Sequence, residues 1–382
     1  MNSPGVTIDR DVKTDELVIN MGPQHPSTHG VLRVILKTDG EICLDAQPEI
    51  GYLHRCAEKI AENLVYGQFV PYTDRMDYVS GMGCNLGYCL AVEQIAGIQA
   101  PLRAEYLRII VTELNRIASH LLAFGTYGID TGAITPFLYG FREREMILDL
   151  LEMLCGARLT YSYIRIGGVD GDVPPGFIDK LREFIDIFPG KIREYNKLLT
   201  FNHIFMKRTT GIGVLSPETA IAYGVTGPNL RGSGVRRDVR RDEPYSVYPK
   251  LEFDVPVGTT QHGGPLGDAW NRYYIRMKEL EESTKILKQC VEQMPQGPIM
   301  AEKVGRVKPP AKTEGYMRSE NARGELGFYV VSDGTMQPVR VKVRAPSFSN
   351  ISVLPEIVRG QMVADVVAII GSLDIVLGEI DR

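Results

Sequence analysis

Two histidines four residues apart stand in the segment MGPQHPSTHG. On a helix, His25 and His29 would share one face, which is a common way to hold a metal ion. Pro23 and Pro26 instead favour a constrained loop, so the spacing by itself favours imidazoles bonded to backbone over a metal site. A rigid loop with two groups that donate, accept and titrate near neutral pH is nevertheless well suited to binding a polar ligand.

Four other polar residues are candidates for chemistry. Tyr78 precedes a predicted helix in DRMDYVSGM, and Asp130 follows a long apolar helix in YGIDTGAITPF. Arg55 stands in GYLHRCAEK, and Asp170 stands in RIGGVDGD. Each of them alone is more often an amphipathic core residue, a turn residue or a surface charge than a functional group.

Motifs for nucleotide binding, metal-dependent hydrolysis and nucleophilic catalysis are missing from the 382 residues. GxGxxG, GxxxxGK[ST], GxSxG and HExxH are all absent. Of the six cysteines, no two have CxxC spacing, and Cys84 and Cys89 would point to different faces of a predicted helix. We therefore expect this chain to bind no metal and no nucleotide, and we expect its thiols to be reduced.

The composition, with 44% hydrophobic and 24% charged residues, is typical of a soluble globular protein. A net charge of -4 predicts no binding of nucleic acid. The arginine-rich stretch from Arg231 to Arg241 contains acidic residues too, which favours a solvated or salt-bridged loop, with a protein contact as the alternative. The N-terminus lacks the features of a signal peptide, and apolar runs such as Val363–Ile370 are too short to span a bilayer. Any membrane association is therefore expected to come through partner proteins.

Hydrophobic periodicity predicts a sheet, then a helical core, then a hairpin. The predicted strands are Glu16–Asn20, Val31–Thr38, EICLDA, GELGFYVVSDG and VRVKVRAPS, the last two forming a hairpin that turns at Asp333 and Gly334. The predicted helices are Leu53–Val65, Cys84–Ile98, Pro101–Phe124, Pro136–Leu154, Phe177–Phe205, Ser216–Tyr223, Asp268–Met294 and Leu354–Ile370, with short extended pieces in Gly224–Gly267.

These elements predict one integrated α+β domain over residues 1–382, because no repeat or flexible linker divides the chain. Its parts would be an N-terminal β-sheet over residues 1–50, a helical core over residues 51–300, and a β-hairpin with a C-terminal helix and tail over residues 301–382.

Eight sequence segments together resemble the quinone-site subunit of respiratory complex I, from about Glu16 to Arg382. They are MGPQHPSTHGVLR, GYLHRCAEKI, DRMDYVSGM, LNRIASHLL, TGAITPF, FREREMI, LRGSG and GSLDIVLGEIDR. That family is itself similar to the large subunit of nickel-iron hydrogenases, which implies a mainly helical core with small antiparallel peripheral sheets. The hydrogenases hold their metal with two CxxC pairs, whereas SLDIVLGEID here carries no thiolate and cannot provide such a cage.

The resemblance implies that the old metal pocket has become the end of a quinone tunnel. His29 and Tyr78 would donate hydrogen bonds to the two carbonyls of a ubiquinone or menaquinone, His25 would lie in the same quinone site, and Asp130 would pair with His29. Such donors stabilise the reduced quinone and supply protons. We expect His29 to be the immediate proton donor, since imidazole titrates near ~6.5 and phenol near ~10. The charge change felt by Asp130 is the hypothesised link to proton pumping.

The resemblance also implies partners. Electrons would come from an iron-sulfur cluster in an adjoining small subunit, with Arg55 beside it and Asp170 at or next to the position of a family histidine. A carboxylate there predicts a lower cluster potential, and hence a low-potential quinone such as menaquinone. Other peripheral-arm subunits, and a membrane-arm subunit that forms the path for the quinone, would hold the chain at the cytoplasmic side of the bacterial inner membrane.

The activity implied is that of a proton-translocating NADH:quinone oxidoreductase. One alternative is the same subunit in a complex that takes electrons from ferredoxin or a deazaflavin. A second is a non-catalytic scaffold. A third is a hydrogenase, which the missing cysteine pairs contradict.

Overall fold

The computed structural model describes residues 16–23, 30–302 and 304–382. The strands are β1 (Glu16–Met21), β2 (Arg33–Asp39), β3 (Ile42–Glu49), β4 (Ile164–Arg165), β5 (Gly168–Val169), β6 (Ala311–Asn321), β7 (Gly324–Asp333) and β8 (Arg340–Arg344). The helices are α1 (Ala57–Ala61), α2 (Tyr66–Asp74), α3 (Gly81–Ala96), α4 (Leu102–Asp130), α5 (Thr135–Cys155), α6 (Phe177–Tyr195), α7 (His203–Thr209), α8 (Pro217–Ala222), α9 (Pro228–Gly232), α10 (Val239–Asp242), α11 (Ala269–Gln293), α12 (Pro346–Ser352), α13 (Leu354–Val358), α14 (Val363–Leu373) and α15 (Leu377–Asp381). The predicted α+β class is confirmed.

The N-terminal sheet is antiparallel with the order β1-β2-β3, as the alternating sequence predicts. Along β2 the side chains alternate in burial, and Val34 and Leu36 enter a hydrophobic cluster with residues of α13 and α14. The sheet therefore uses one face to cover the C-terminal helices.

Helix α4 is the centre of the helical core, and it packs against α3, α5, α11 and α14. It extends six residues beyond its predicted end at Phe124, to Asp130. Gly125 and Gly128 in this extension look like helix-ending residues in the sequence, but here they allow the start of α5 to approach. A Cβ on Gly125 would lie 2.9 Å from Cα of Phe137, so the glycine makes the crossing possible.

The second large sheet has the order β6-β7-β8 and is antiparallel throughout. The predicted pairing of β7 with β8 is confirmed. Strand β6 was not predicted, and it pairs with β7 through a tight turn at residues 322–323. Strand β6 packs on α3, so this turn enters the core of the molecule.

Several predicted helices have different bounds in the structure. The predicted helix Leu53–Val65 is helical only over Ala57–Ala61. At its start, the N–H groups of Arg55 and Ala57 donate hydrogen bonds to the carbonyl oxygen of Arg382. Predicted helix Leu354–Ile370 is two helices, α13 and α14, and predicted helix Phe177–Phe205 is interrupted by a π-helical turn at Asn196–Thr200. The Gly224–Gly267 stretch, predicted to hold short extended pieces, also holds the short helices α9 and α10, and residues 251–255 lie outside the helices and strands.

The arginine-rich stretch is not simply a solvated loop. Arg231 and Arg240 are fully buried and ion-paired, Arg231 with Glu279 and Glu320, and Arg240 with Glu113. The salt-bridged interpretation of this stretch is therefore the correct one for these two side chains, because a buried guanidinium needs acidic partners.

The last residues of the sequence are buried between α12 and the segment that precedes α1. The carboxylate of Asp381 accepts hydrogen bonds from the N–H groups of Gly51 (2.8 Å) and Leu53 (2.7 Å), and its carbonyl oxygen contacts Nδ1 of His54 (2.7 Å). These bonds join the end of the described chain to the junction between the N-terminal sheet and the helices.

In the three described ranges, no helix combines the length and the apolar character needed to cross a bilayer. Even α4, with 29 residues, carries buried charges along its length, among them Arg108, Glu113 and Arg116.

Candidate functional site

A cavity of about 250 Å³ lies where four parts of the fold meet. They are the turn before α3, the C-terminal end of α4, the turn between β6 and β7, and the link between α14 and α15. The lining residues are Tyr78, Val79, Leu122, Thr126, Ile129, Asp130, Arg323, Asp374, Ile375 and Val376. Two residues selected from the sequence, Tyr78 and Asp130, therefore share one cavity.

The turn that carries Tyr78 is held by its neighbour Asp77. Oδ1 of Asp77 accepts hydrogen bonds from the N–H groups of Val79 (3.3 Å) and Ser80 (3.2 Å), just before α3 begins. Burial raises the pKa of the Tyr78 phenol, and the charges of Arg323 and Arg55 oppose that shift. The phenol is therefore protonated at neutral pH and available as a hydrogen-bond donor.

Asp130 is the last residue of α4, not a residue of the following turn as predicted. The chain reverses directly after it, with the N–H of Ala133 bonded to the carbonyl oxygen of Gly128 at 2.7 Å. Helix α14 approaches through Gly371, where an added Cβ would lie 2.6 Å from Oδ2 of Asp130. The glycine thus leaves just enough space for this carboxylate.

Arg323 joins the cavity to a buried chain of ion pairs. Its Nη1 lies 2.9 Å from Oδ2 and 3.1 Å from Oδ1 of Asp77, and it also donates to Oγ of Ser119. Its Nη2 lies 3.4 Å from Oδ1 of Asp374, whose Oδ2 in turn lies 3.3 Å from Nε of Arg276. Such mutually constrained charges fix the positions of the groups beside Tyr78.

Glu379 of α15 is a further buried acid in this region. Its Oε2 accepts hydrogen bonds from the N–H (3.1 Å) and the hydroxyl of Ser347. Burial and the charge of Asp77 raise its pKa to about 7, against the opposing effect of Arg323. At neutral pH, Glu379 therefore carries its proton for a substantial part of the time.

Sequence reasoning did not select Asp77, Arg323, Asp374 or Glu379. Three of them stand in segments that carry the family resemblance, DRMDYVSGM and GSLDIVLGEIDR, which was the available signal. Arg323 stands outside all eight segments that carry the resemblance, so no such signal pointed to it.

Arg55 and Asp170 do not line the cavity. Arg55 is exposed and donates to the carbonyl oxygen of Arg75, although its charge still acts on Tyr78. Asp170 is exposed, and its Oδ1 lies 3.2 Å from Nε of Arg165. His25 and His29 lie outside the described residues.

A second group of buried charges surrounds His120. Its Nε2 lies 2.8 Å from Oε2 of Glu279, whose other oxygen lies 2.5 Å from Nη2 of Arg231. Burial lowers the pKa of His120. The described residues contain no cluster of three or more histidine, cysteine, aspartate or glutamate side chains that could hold a metal ion.

Residues 130–382 match a protein family described as respiratory-chain NADH dehydrogenase, 49 kDa subunit. Over 370 residues, 97% of this chain and all of the relative, the sequence is 52% identical to the D subunit of NADH-quinone oxidoreductase from Bacillus mycoides (strain KBAB4). Over 381 residues, 99% of this chain and 96% of the relative, it is 53% identical to the same subunit from Chlorobium luteolum. The corresponding subunit from Chlorobaculum tepidum is 52% identical over 381 residues, covering 99% and 95%.

Proposed function

Because this chain belongs to the family of the 49 kDa subunit of respiratory-chain NADH dehydrogenase, with relatives named as the D subunit of NADH-quinone oxidoreductase, we propose that a quinone headgroup is reduced in the cavity at Tyr78 and Asp130. Membership makes the chain a subunit of an oxidoreductase complex. The position and chemistry of the quinone site are the part that we add.

The observation that carries this proposal is the composition of the cavity wall. Leu122, Ile129 and Val376 offer apolar surface for the faces of a ring, and the phenol of Tyr78 offers a donor for a carbonyl oxygen. A quinone gains negative charge on its oxygens as it accepts electrons, so a fixed donor stabilises the reduced forms more than the oxidised form. The site therefore suits binding coupled to reduction.

We propose His29 as the donor to the second carbonyl, with His25 in the same site and Asp130 as the carboxylate that orients the His29 ring. Support comes from Gly30, the residue that follows His29, because a Cβ added to Gly30 would lie 3.4 Å from Cδ1 of Leu377. Leu377 directly follows Val376 of the cavity wall. An imidazole that is oriented by a carboxylate can donate its proton to the quinone and later be reprotonated.

Electrons are proposed to come from the iron-sulfur cluster of a small subunit that docks near Arg55 and Asp170. The other proposed partners are further peripheral-arm subunits and a membrane-arm subunit that admits the quinone at the cytoplasmic side of the membrane. NADH, which the relatives' names contain, is proposed as the source of the electrons rather than ferredoxin or a deazaflavin. The Asp170 carboxylate is proposed to favour a low-potential quinone such as menaquinone.

The test compares two reactions in membranes that carry Tyr78→Phe. Loss of the Tyr78 hydroxyl should slow NADH:quinone reduction by about tenfold to a hundredfold, because one hydrogen-bond donor to the negative charge that develops on the quinone oxygen is removed. NADH oxidation by a hydrophilic acceptor, which bypasses the quinone site, should persist.

The matched control is Tyr316→Phe, which removes the same hydroxyl from an exposed position on β6, away from the cavity. It should leave both reactions unchanged. Full quinone turnover in an assembled Tyr78→Phe complex would rule out Tyr78 as a headgroup donor and would favour the scaffold alternative.

A further inference from the structure

Behind Tyr78, the buried acids Asp77, Asp374 and Glu379 lie near the guanidinium group of Arg323. Both oxygens of Asp77 lie on Nη1 of Arg323, and Asp374 lies between Arg323 and Arg276. Asp77 and Asp374 are therefore the ion-pair partners of Arg323 and Arg276. Within the three described ranges, the third acid, Glu379, has no lysine or arginine at ion-pair distance.

The surroundings of Glu379 also disfavour its charged form. Its side chain is completely buried, and Oε1 has no hydrogen-bond partner among the described residues. A buried carboxylate oxygen without a donor is costly when it is charged and much less so when the group is neutral. The donors of Ser347 act on the other oxygen only.

Groups from every neighbouring element define the electrostatics of Glu379. The turn before α3 contributes Asp77, and α3 contributes Cys84. Burial raises the pKa of the Cys84 thiol, which is therefore neutral. The β6–β7 turn contributes Arg323, and α12 contributes Ser347. Next to it in α15, a Cβ on Gly378 would lie 3.2 Å from Nη2 of Arg55.

We propose that Glu379 must keep its proton for fast quinone reduction in the cavity, an inference that rests on the function proposed above. While Glu379 is neutral, Arg323 is shared by Asp77 and Asp374 alone. Once Glu379 releases its proton to solvent, it carries a buried negative charge in a medium of low dielectric constant. Among the described residues, no lysine or arginine lies at ion-pair distance to neutralise it. That charge opposes the negative charge that develops on the quinone oxygens and on the Tyr78 phenol when it donates.

Glu379 is thus a positioning residue that acts through the Asp77–Arg323 pair and does not itself touch the quinone. The expected consequence is a decline of quinone turnover as the pH rises through the pKa of Glu379. A residue with a purely structural role would change the amount of assembled complex, but it would not create this dependence on pH.

The decisive experiment is the pH profile of NADH:quinone reduction from about pH 6 to about pH 9 in membranes with the complete complex. Each profile is normalised to its own maximum and compared with reduction of a hydrophilic acceptor. Glu379→Gln keeps the shape of the neutral carboxyl but cannot ionise, so its alkaline decline should disappear. The same decline in Glu379→Gln and in the unaltered complex overturns the proposal.

Ser347→Ala provides an independent measurement, which also decides the matter should Glu379→Gln fail to assemble. The hydroxyl of Ser347 stabilises the charged form of Glu379, so removing this hydroxyl should raise the pKa of Glu379. The alkaline decline of quinone turnover should then move to higher pH by about half a unit or more. A decline that stays in place or moves to lower pH overturns the proposal. Full turnover in an assembled Tyr78→Phe complex would instead rule out Tyr78 as a headgroup donor, so failure of the proposed function and failure of this inference are distinguishable.

Discussion

The candidate functional residues illustrate what a sequence can and cannot reveal about individual side chains. Tyr78 and Asp130 were selected because they stand in distinctive segments, and the structure brings both to one cavity. Arg323 was missed because its burial follows from a tight turn between two long strands, one of which was not predicted. A single charged residue in a turn does not indicate whether tertiary packing will carry that turn inside.

The dependence of the cavity on Arg323 leads to a stability prediction. Arg323→Met keeps much of the side-chain volume but leaves Asp77 buried without its cation, which should lower the free energy of unfolding by about 3–5 kcal/mol. Urea unfolding of the full chain measures this loss. The control, Arg359→Ala, breaks an exposed ion pair with Glu356 and should cost less than about 1 kcal/mol. Equal effects of the two substitutions would contradict the assigned role of Arg323.

Among the elements, the long amphipathic helices were predictable because their hydrophobic period continues over many turns. Their ends were less predictable, as α4 shows. Its final glycines are packing positions for α5, and this function of a glycine depends on a neighbour that the local sequence does not contain. The short helices α9 and α10 were missed for a related reason, because they lie in a Gly, Arg and Pro-rich stretch without a detectable period.

The contact between α14 and the end of α4 allows the position of Asp130 to be tested without changing Asp130 itself. Gly371→Ala would place a methyl group 2.6 Å from Oδ2 of Asp130 and 2.8 Å from Cδ2 of Tyr127, so one of them must move. We expect quinone turnover to fall by about tenfold, since the role proposed for Asp130 depends on its exact position. Kinetics with quinone and with a hydrophilic acceptor would separate this effect from poor assembly.

The matched control for Gly371→Ala is Gly190→Ala within α6. The nearest atom there, Nη2 of Arg193, would be 3.8 Å from the new methyl group. Alanine should leave turnover unchanged and add about 0.5–1 kcal/mol of stability through its helix propensity. If Gly371→Ala behaves like this control, the contact does not position Asp130.

On the scale of the whole molecule, the fold class could be predicted from the order of sheet and helix patterns, whereas the polar interior could not. Buried arginines from α4, α9 and α10 meet acids from α4, α11 and β6 in one region. Such residues look like surface charges in a local window, and only the complete fold pairs them. The described residues also form two hydrophobic clusters. The single-domain division of the chain remains a prediction.

This polar interior predicts loss of stability in acid. Burial alone would raise the pKa of Asp238, but Arg240 and Arg231 lower it to about 2, and Arg231 with His120 also lowers the pKa of Glu279. A lowered pKa stabilises the fold above the ordinary carboxyl pKa, and this contribution disappears as the pH falls towards the folded value. For Asp238 the loss between about pH 4 and pH 2 should be on the order of 2 kcal/mol. Urea midpoints that do not decrease over this range would contradict the prediction.

The hydrogen bonds that Asp381 and Arg382 accept from the N–H groups of residues 51–57 have a consequence for synthesis of the protein. A ribosome makes residues 51–57 early and residues 377–382 more than three hundred residues later. The N–H groups of residues 51–57 therefore remain in water while the intervening residues are made, and this junction closes only when residues 377–382 emerge. Chains released before Asp381 and Arg382 are made would lack this closure and would be substrates for chaperones and proteases rather than for assembly.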